Sequence, residues 1–161
     1  MALNSLVVSD STSIISLINI ERFELLFKFS ETLVITEAVY AEVAKRKTAK
    51  KHLNKYIADK KIIIRTVDDK KKVVQLLTRL DLGESESIVL AKQERLPLII
   101  DEKRGRNIAK SLGVVIIGLV GILLVYKEKD YLAKDEMKII VAELKEVEFR
   151  ISQPLLDLLL A

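Results

Sequence analysis

Short apolar runs rich in β-branched residues alternate with longer segments of helical periodicity along this chain. Runs that are apolar at consecutive positions are typical of strands buried on both faces of a parallel sheet. Apolar residues at three- and four-residue spacing are typical of helices that cover such a sheet. The strands predicted in this way span residues 6–8, 32–35, 62–66, 98–100 and 114–117.

The intervening segments predict helices on both faces of the sheet, which is an α/β fold. Gly113 follows one of these patterns directly and is expected to end that helix. The tail adds an amphipathic stretch, KIIVAELKEV, and an apolar run, PLLDLLLA. The predicted helices cover residues 13–27, with or without a break, 37–45, 47–59, 73–80, 84–94, 104–112 and 119–127.

Composition supports one compact domain. The chain has 161 residues, of which 50% are hydrophobic, so a substantial core can form. We therefore expect a single domain over residues 1–161, with a C-terminal helical extension from about residue 135. The leucines of the final run pack either on this domain or on a second chain, because they are too many for a solitary exposed helix.

The chemistry open to the chain is restricted by what it lacks. Cysteine is absent, which excludes disulfides, thiolate metal sites and cysteine nucleophiles. A single histidine, His52, gives poor support to zinc sites or Ser-His-Asp catalysis. Any catalysis must therefore use carboxylates, hydroxyls, lysine or arginine.

Two features bear on location. The start, MALNSLVVSDSTS, lacks the basic segment and cleavage site of a secretory signal, so we expect a cytoplasmic protein. Residues 112–126, LGVVIIGLVGILLVY, carry no charge. They are shorter than the about 20 residues that span a membrane and contain three glycines, so a buried strand leading into a buried helix is the better interpretation.

The net charge of +4 is distributed unevenly. Residues 45–61, KRKTAKKHLNKYIADKK, contain eight lysines and arginines and one acid. Such a cluster can bind phosphate backbones. A solvated helix face in a lysine-rich protein is the simpler interpretation.

Two predicted strands end on an aspartate, Asp10 after VVS and Asp101 after PLII. The carboxyl ends of parallel strands meet at the edge of the sheet where ligands bind. Asp10, or a hydroxyl of Ser11, Thr12 or Ser13, can instead cap the next helix. Because Asp101 also directly follows a predicted strand, the two aspartates together favour a ligand site over a helix cap.

Two glutamates add to this pair. Glu42 lies on the packed side of the helix EAVYAEVAK, which follows the strand TLVIT. In GESESIVLAKQ, Glu84 continues an inward stripe with Ile88 and Ala91, whereas Glu86 belongs to another face. Glu84 is therefore the preferred fourth acid, with Glu86 as the alternative.

Acidic side chains gathered in a cleft repel one another and persist mainly where cations compensate them. Sites built only from oxygen ligands suit Mg²⁺ or Mn²⁺. Two such ions, about 3.5–4 Å apart, clamp a phosphodiester and activate a water. The four acids thus predict metal-dependent phosphodiester chemistry.

The order of these motifs resembles that of the PIN-domain family, in particular a group of predicted nucleic-acid-binding proteins similar to VapC-like toxins. The shared elements, in order, are VVSDSTSIISL, LDLGESESIVLA, LIIDEKRGRNIAKSLG, VVIIGLVGILL and the tail EVEFRISQPLLDLLL, so the resemblance covers essentially the whole chain. It implies a three-layer α/β/α sandwich around a mostly parallel sheet. It also implies a metal-dependent ribonuclease whose catalytic and metal-binding acids are Asp10, Glu42, Glu84 and Asp101.

The resemblance also supports Glu84 and shows one departure. Reading the family's Asp-Ala-x-x-Ala-x-x-Ala helix without gaps puts its Asp on Glu84 and its last Ala on Ala91. Glutamate in place of aspartate lengthens the ligand by one methylene. Many relatives are toxins held inactive by a small antitoxin, and they commonly form homodimers, so both partners are expected here beside the RNA substrate.

Other residues near the acids have two interpretations each. Thr12 or Ser11 either assists Asp10 through a metal-bound water or only begins a helix. The basic residues after Asp101 either hold the phosphates of the substrate or form ordinary surface pairs. These residues are Lys103, Arg104 and Arg106.

The leading prediction is a Mg²⁺- or Mn²⁺-dependent endoribonuclease. The first alternative is a catalytically weak module that binds RNA or a partner protein. The second is a phospho-acceptor receiver domain, which needs an aspartate at the end of its central strand. It ranks last, because the strand IIIRTV is followed by an acid only at Asp68 and Asp69.

Overall fold

The computed structural model describes residues 2–161, in which five strands form one sheet with the order β3-β2-β1-β4-β5. Every neighbouring pair in the sheet is parallel. The central strand β1 therefore lies between β2 and β4, and all five strands end at the same edge. The strands are β1 (Asn4–Ser9), β2 (Ser30–Thr36), β3 (Ile62–Arg65), β4 (Leu98–Ile99) and β5 (Ile116–Ile117).

Helices connect the strands and cover both faces of the sheet, as parallel pairing requires. A short 3-10 helix, Phe23–Leu25, lies between the first two α-helices. The α-helices are α1 (Ser11–Asn19), α2 (Leu26–Phe29), α3 (Glu37–Val43), α4 (Lys47–Ala58), α5 (Lys70–Leu76), α6 (Leu82–Glu94), α7 (Lys103–Ser111), α8 (Leu119–Glu128), α9 (Lys134–Glu146) and α10 (Gln153–Leu160).

Two apolar cores lie on opposite faces of the sheet. Val7 and Leu33 point into the larger core, which contains side chains of α1–α4 and α8–α10. Their neighbours Val8 and Val34 point into the smaller core, formed with α5, α6 and α7. Successive strand residues alternate between faces, so both must be apolar when both faces are covered. The predicted three-layer α/β/α sandwich is confirmed, with a sheet that is parallel throughout.

The predicted elements differ from the observed ones mainly at their ends. The predicted helix over residues 13–27 is broken after α1, where Glu21 has a φ of 58°. Strand β5 contains only two of its four predicted residues, and α5 begins three residues earlier than its apolar pattern. Gly113 ends α7 as predicted, with a φ of +80° and an N–H that donates to Lys110 O at 3.0 Å.

The uncharged segment 112–126 forms β5 and most of α8, so it is a strand leading into a buried helix. None of the helices in residues 2–161 combines the length and the apolar character needed to cross a bilayer. In the C-terminal run, Leu156 and Leu159 are buried in the larger core. Leu155 and Leu158 remain 37% and 55% exposed.

Candidate active site

Asp10 and Asp101 lie side by side at the carboxyl edge of the sheet. The register of β1 and β4 pairs Ser9 with Ile99, so the residues that follow these strands must be neighbours. The backbone N–H of Asp10 donates to Ile99 O at 3.0 Å, and the N–H of Asp101 donates to Asp10 Oδ2 at 3.4 Å. The two acids predicted from strand ends are therefore brought together.

Asp10 lies at the start of α1 but does not act as an ordinary helix cap. Asp10 occupies the N-cap position of α1, and the N–H of Ser13 is close enough to lower the pKa of its carboxyl, but the side chain makes no capping hydrogen bond to the first turn. Only 2% of the residue is exposed, and the carboxylate is directed towards Asp101 instead. A surface serine or asparagine would cap equally well at far lower cost, because burying a charge without a partner is unfavourable.

The negative charge of Asp10 lacks compensation in this structure. Its Oδ1 atom is buried and has no hydrogen-bond partner. Burial, followed by repulsion from Asp101, raises the pKa of the Asp10 carboxyl well above its ordinary value, and nearby amides offset this only in part. A buried oxygen with an open coordination position is what a bound cation requires.

Asp101, in contrast, is held by donors on both oxygens. Ser13 Oγ donates to Oδ2 at 2.5 Å, and the backbone N–H of Leu119, at the start of α8, donates to Oδ1 at 2.9 Å. Burial raises the pKa of Asp101, and these two hydrogen bonds and the charge of Arg106 act in the opposite direction. The orientation of this carboxylate is thus fixed by α1 and α8.

Close approach of the chain at Gly118 makes this arrangement possible. A Cβ atom at Gly118 would lie 2.8 Å from Asp101 Oδ1 and 2.8 Å from Arg106 Nη1. Both distances are shorter than van der Waals contact. A residue without a side chain therefore allows the N-terminus of α8 to meet Asp101.

Glu84 and Glu42 extend the acidic group. Glu84 forms a capping box with Asp81 at the start of α6, and burial, followed by repulsion from Asp81, raises its pKa. Glu42 also contributes to that shift, and Glu84 in turn contributes to the shift of Asp10. Glu42 Oε2 lies only 3.2 Å from where a Cβ on Gly83 would be. We call Asp10, Glu42, Glu84 and Asp101 the acid pole.

Glu86 has a different environment. Its Oε1 accepts a hydrogen bond from the N–H of Ala38 at 3.2 Å, in the first turn of α3. A carboxylate at a helix N-terminus stabilises that helix. Of the two alternatives in the sequence, Glu84 acts on Asp10 and Glu86 anchors α3.

Two cavities flank the acid pole. One, of about 530 Å³, has Glu84 in its wall together with Arg79, Lys103 and Arg104. The other, of about 380 Å³, has Asp101 in its wall and lies beside β5 and α8. Together they give the pole access to solvent on two sides.

Residues around the acids only partly match the sequence interpretation. The hydroxyl that contacts an acid is Ser13 on Asp101, whereas Thr12 is exposed and Ser11 makes no such contact. In the sequence, the only pointer to Ser13 was its spacing of three residues, about one helical turn, from Asp10. Arg106 donates to Ile100 O at 2.9 Å and lies in the wall of the β5 cavity, not with Lys103 and Arg104. Arg79 lies in the same cavity wall as Lys103 and Arg104, and no sequence pattern indicated it.

The fit of this site to a metal ion rests on donor chemistry. Within residues 2–161, no three His, Cys, Asp or Glu side chains are grouped so as to hold an ion. The orphaned oxygen of Asp10 and the purely carboxylate character of the pole nevertheless match the oxygen ligands that Mg²⁺ and Mn²⁺ prefer. The residues therefore fit a hard divalent cation by chemistry.

A parallel α/β/α sandwich with acids at the carboxyl edge of its central strands is the architecture of PIN domains. The profile of the family DUF3368, described as a PIN domain, matches residues 6–161, and the chain belongs to this family. PIN domains are in general nucleases that depend on divalent metals, so the fold is of nuclease type.

A solved structure supports the fold independently. The chain resembles a PilT N-terminus domain protein from the hyperthermophilic archaeon Sulfolobus solfataricus P2, with a TM-score of 0.50 and 21% identity. The alignment covers 73% of this chain and 89% of that one. No curated protein matches the sequence significantly.

Proposed function

We propose that this protein is a Mg²⁺- or Mn²⁺-dependent endoribonuclease that hydrolyses RNA phosphodiesters at the acid pole. The observation that carries the proposal is the buried Asp10 carboxylate, one oxygen of which has no partner, beside the fixed carboxylate of Asp101. Such a pair of buried carboxylates is unfavourable by itself and becomes favourable when a cation binds.

Each acid has a defined part in this proposal. Asp10 and Asp101 are the central ligands, and Glu84 and Glu42 complete the negative environment from α6 and α3. A bound divalent ion supplies an activated water and stabilises the leaving oxygen. Ser13 and the N–H of Leu119 orient Asp101, so that its position does not depend on the ion.

The cavity beside Glu84 supports a polyanionic substrate. Arg79, Lys103 and Arg104 lie in its wall, and none of the three ion pairs found in residues 2–161 includes them. Unpaired cations next to a group of acids favour binding of phosphates that flank the reacting one. Asp81, Glu84 and Glu102 lie in the same wall, so the cations that would bind flanking phosphates are directly beside the acids.

Purified protein, structured RNA and single-stranded RNA test the activity directly. We expect cleavage with Mn²⁺ and none with a chelator. Loss of even an outer-shell partner of a metal lowers activity by about 10–100-fold, so Asp10→Asn should lower it by more than about 100-fold. Asp130→Asn is the matched control, since Asp130 is exposed and has a φ of 56°, which asparagine tolerates. Equal cleavage by Asp10→Asn and wild type would refute the mechanism.

The same experiment separates the enzyme from its alternative. RNA binding without cleavage by the metal-loaded wild type would identify a catalytically weak PIN-like module that binds RNA or a partner.

A biological role follows by extension from the family resemblance. We propose that the protein is the toxin of a toxin-antitoxin pair, acting in the cytoplasm as a homodimer and held inactive by a small antitoxin. Induced expression in a bacterial host should arrest growth, and the Asp10→Asn variant should not.

A further inference from the structure

The β5 groove differs in character from the cavity beside Glu84. It is the cavity of about 380 Å³ that shares Asp101 with the acid pole, and its polar members are Arg106 and Arg150. Its volume falls in the range of small-ligand sites, about 300–1,000 Å³. The apolar side chains of its wall are Ile116, Ile117, Val120, Leu124, Phe149 and Leu155.

One aromatic residue of this wall, Phe149, has a backbone position that is fixed by a turn. Phe149 follows the end of α9, where Glu148 adopts a φ of 61° and the N–H of Phe149 donates to Leu144 O at 3.0 Å. Part of the side chain packs on the larger core, and part remains in the groove. The backbone at Phe149 is thus fixed, and its half-buried ring forms part of the groove wall, where a base could stack on it.

The groove contains two arginines beside Asp101: Arg106, which donates to Ile100 O, and Arg150. Arg150 is exposed, and neither it nor Arg106 takes part in an ion pair within residues 2–161. An apolar wall with an aromatic ring, next to the exposed guanidinium group of Arg150, complements a flat apolar group that carries a phosphate. A nucleotide has this combination of properties.

We propose that the β5 groove is a nucleobase subsite, in which one base next to the reacting phosphate stacks on Phe149 while Arg150 contacts the adjoining phosphate. This inference rests on the proposed function, because it places a strand across Asp101. Phosphates then lie on the side of Arg79, Lys103 and Arg104, and a base lies on the opposite side. Duplex RNA keeps its bases stacked inside, so the subsite selects single-stranded RNA.

The test uses the full chain carrying Asp10→Asn and single-stranded RNA of about ten nucleotides, a length within the site sizes of such proteins. Each nucleotide in turn is replaced by an abasic unit, and binding is followed by fluorescence anisotropy. Stacking contributes about 1–3 kcal/mol per base, so one position should weaken binding by about 5- to 150-fold and the others much less.

Variants assign that position to the groove. Phe149→Leu keeps apolar bulk and should remove the penalty at this position, whereas Phe149→Tyr should retain it. Phe27→Leu is the matched control, because Phe27 is also partly buried against the larger core but packs on Tyr56. Arg150→Gln should reduce the slope of log affinity against log salt by about 1.

The outcomes distinguish this subsite from the proposed activity. An abasic penalty that disappears with Phe149→Leu supports the subsite even if the wild type never cleaves RNA. A flat abasic scan, or one unchanged by Phe149→Leu, overturns it even if the wild type cleaves RNA efficiently, and leaves the groove to a protein partner. Absence of any RNA binding overturns it as well.

Discussion

Two groups of carboxylates in this protein differ in what neutralises them. At the acid pole, burial raises the pKa of Asp10, Glu84 and Asp101, and repulsion from neighbouring acids adds to the shifts of Asp10 and Glu84. At the second group, which we call the Arg22 clamp, Arg22 contacts Glu136 and Glu143, and its hydrogen bonds lower the pKa of Glu143. Arg22 thus pairs directly with Glu143, whereas Arg106, the arginine beside Asp101, acts on the pole without forming an ion pair within residues 2–161.

The geometry of the clamp explains its effect. Arg22 Nε donates to Glu143 Oε2 at 3.1 Å, and Nη2 donates to Oε1 at 2.9 Å, which is a two-pronged pair. The pair connects the segment after α1 to α9. At the acid pole the nearest guanidinium, that of Arg106, is directed to Ile100 O and leaves Asp10 Oδ1 without a partner.

The largest effect on activity is expected when the shape of the acid pole is disturbed while its charges are kept. Gly118→Ala would put a methyl group 2.8 Å from Asp101 Oδ1. We expect it to destabilise the protein by about 1–3 kcal/mol, as overpacking does, and to abolish cleavage. Denaturant unfolding and RNA cleavage measure both effects.

Gly113→Ala provides the control for that variant. Gly113 has a φ of +80° and nothing within 4 Å of its Cβ position, so alanine there costs about 1–2 kcal/mol through the backbone alone. Cleavage should stay at the wild-type level. Equal loss of cleavage in both variants would show that stability, not the position of Asp101, controls activity.

Asp10→Asn should stabilise the metal-free protein, because it removes the charge of a buried carboxylate, one oxygen of which has no hydrogen-bond partner. The amide has no charge to desolvate, so the gain should be about 1–2 kcal/mol at neutral pH, with Tm rising about 2–4 °C for each kcal/mol. Thermal unfolding in a chelator measures it, with Asp130→Asn as the control.

The stabilisation by Asp10→Asn should depend on pH. Because the folded pKa of Asp10 is raised, its contribution to stability is fully present below the ordinary value of about 3.9 and is lost as pH rises through the raised value. The advantage of Asp10→Asn should therefore be smallest in acid and grow towards neutral pH. An advantage independent of pH would contradict repulsion and burial as its origin.

Glu143→Gln should show the opposite and smaller behaviour. Its folded pKa is lowered, so the stability from the clamp is present above the ordinary pKa of glutamate and disappears as pH falls through the lowered value. The loss should be about 0.5–1 kcal/mol at neutral pH, because the pair is partly exposed. It should shrink in acid and in high salt. Urea unfolding at two pH values and two salt concentrations checks this.

The strand ends were predictable because parallel pairing requires them to meet. Continuous apolar runs predicted every strand, and the aspartates after two of them predicted the pair at the centre of the pole. Glu84 followed from helical spacing with Ile88 and Ala91. These features depend on local periodicity and on topology, both of which the sequence carries.

The surroundings of the pole could not be predicted in the same way. The bond from Ser13 to Asp101 spans 88 residues, and the approach of Gly118 to Asp101 depends on how α8 packs. Arg106 lies on the same helix as Lys103 and Arg104, but its direction differs because Ile100 O accepts from it. Side-chain direction at such sites depends on tertiary contacts, which no spacing rule encodes.

The most direct measurement compares wild type and Asp10→Asn by unfolding in a chelator and again in Mn²⁺. In the chelator the variant should be the more stable protein. In Mn²⁺ at about 100 times its dissociation constant, the wild type should gain about 2.7 kcal/mol and the variant little, so that their order reverses. A variant that is less stable in the chelator, with the same Mn²⁺ shift as the wild type, would contradict an acid pole built for a cation.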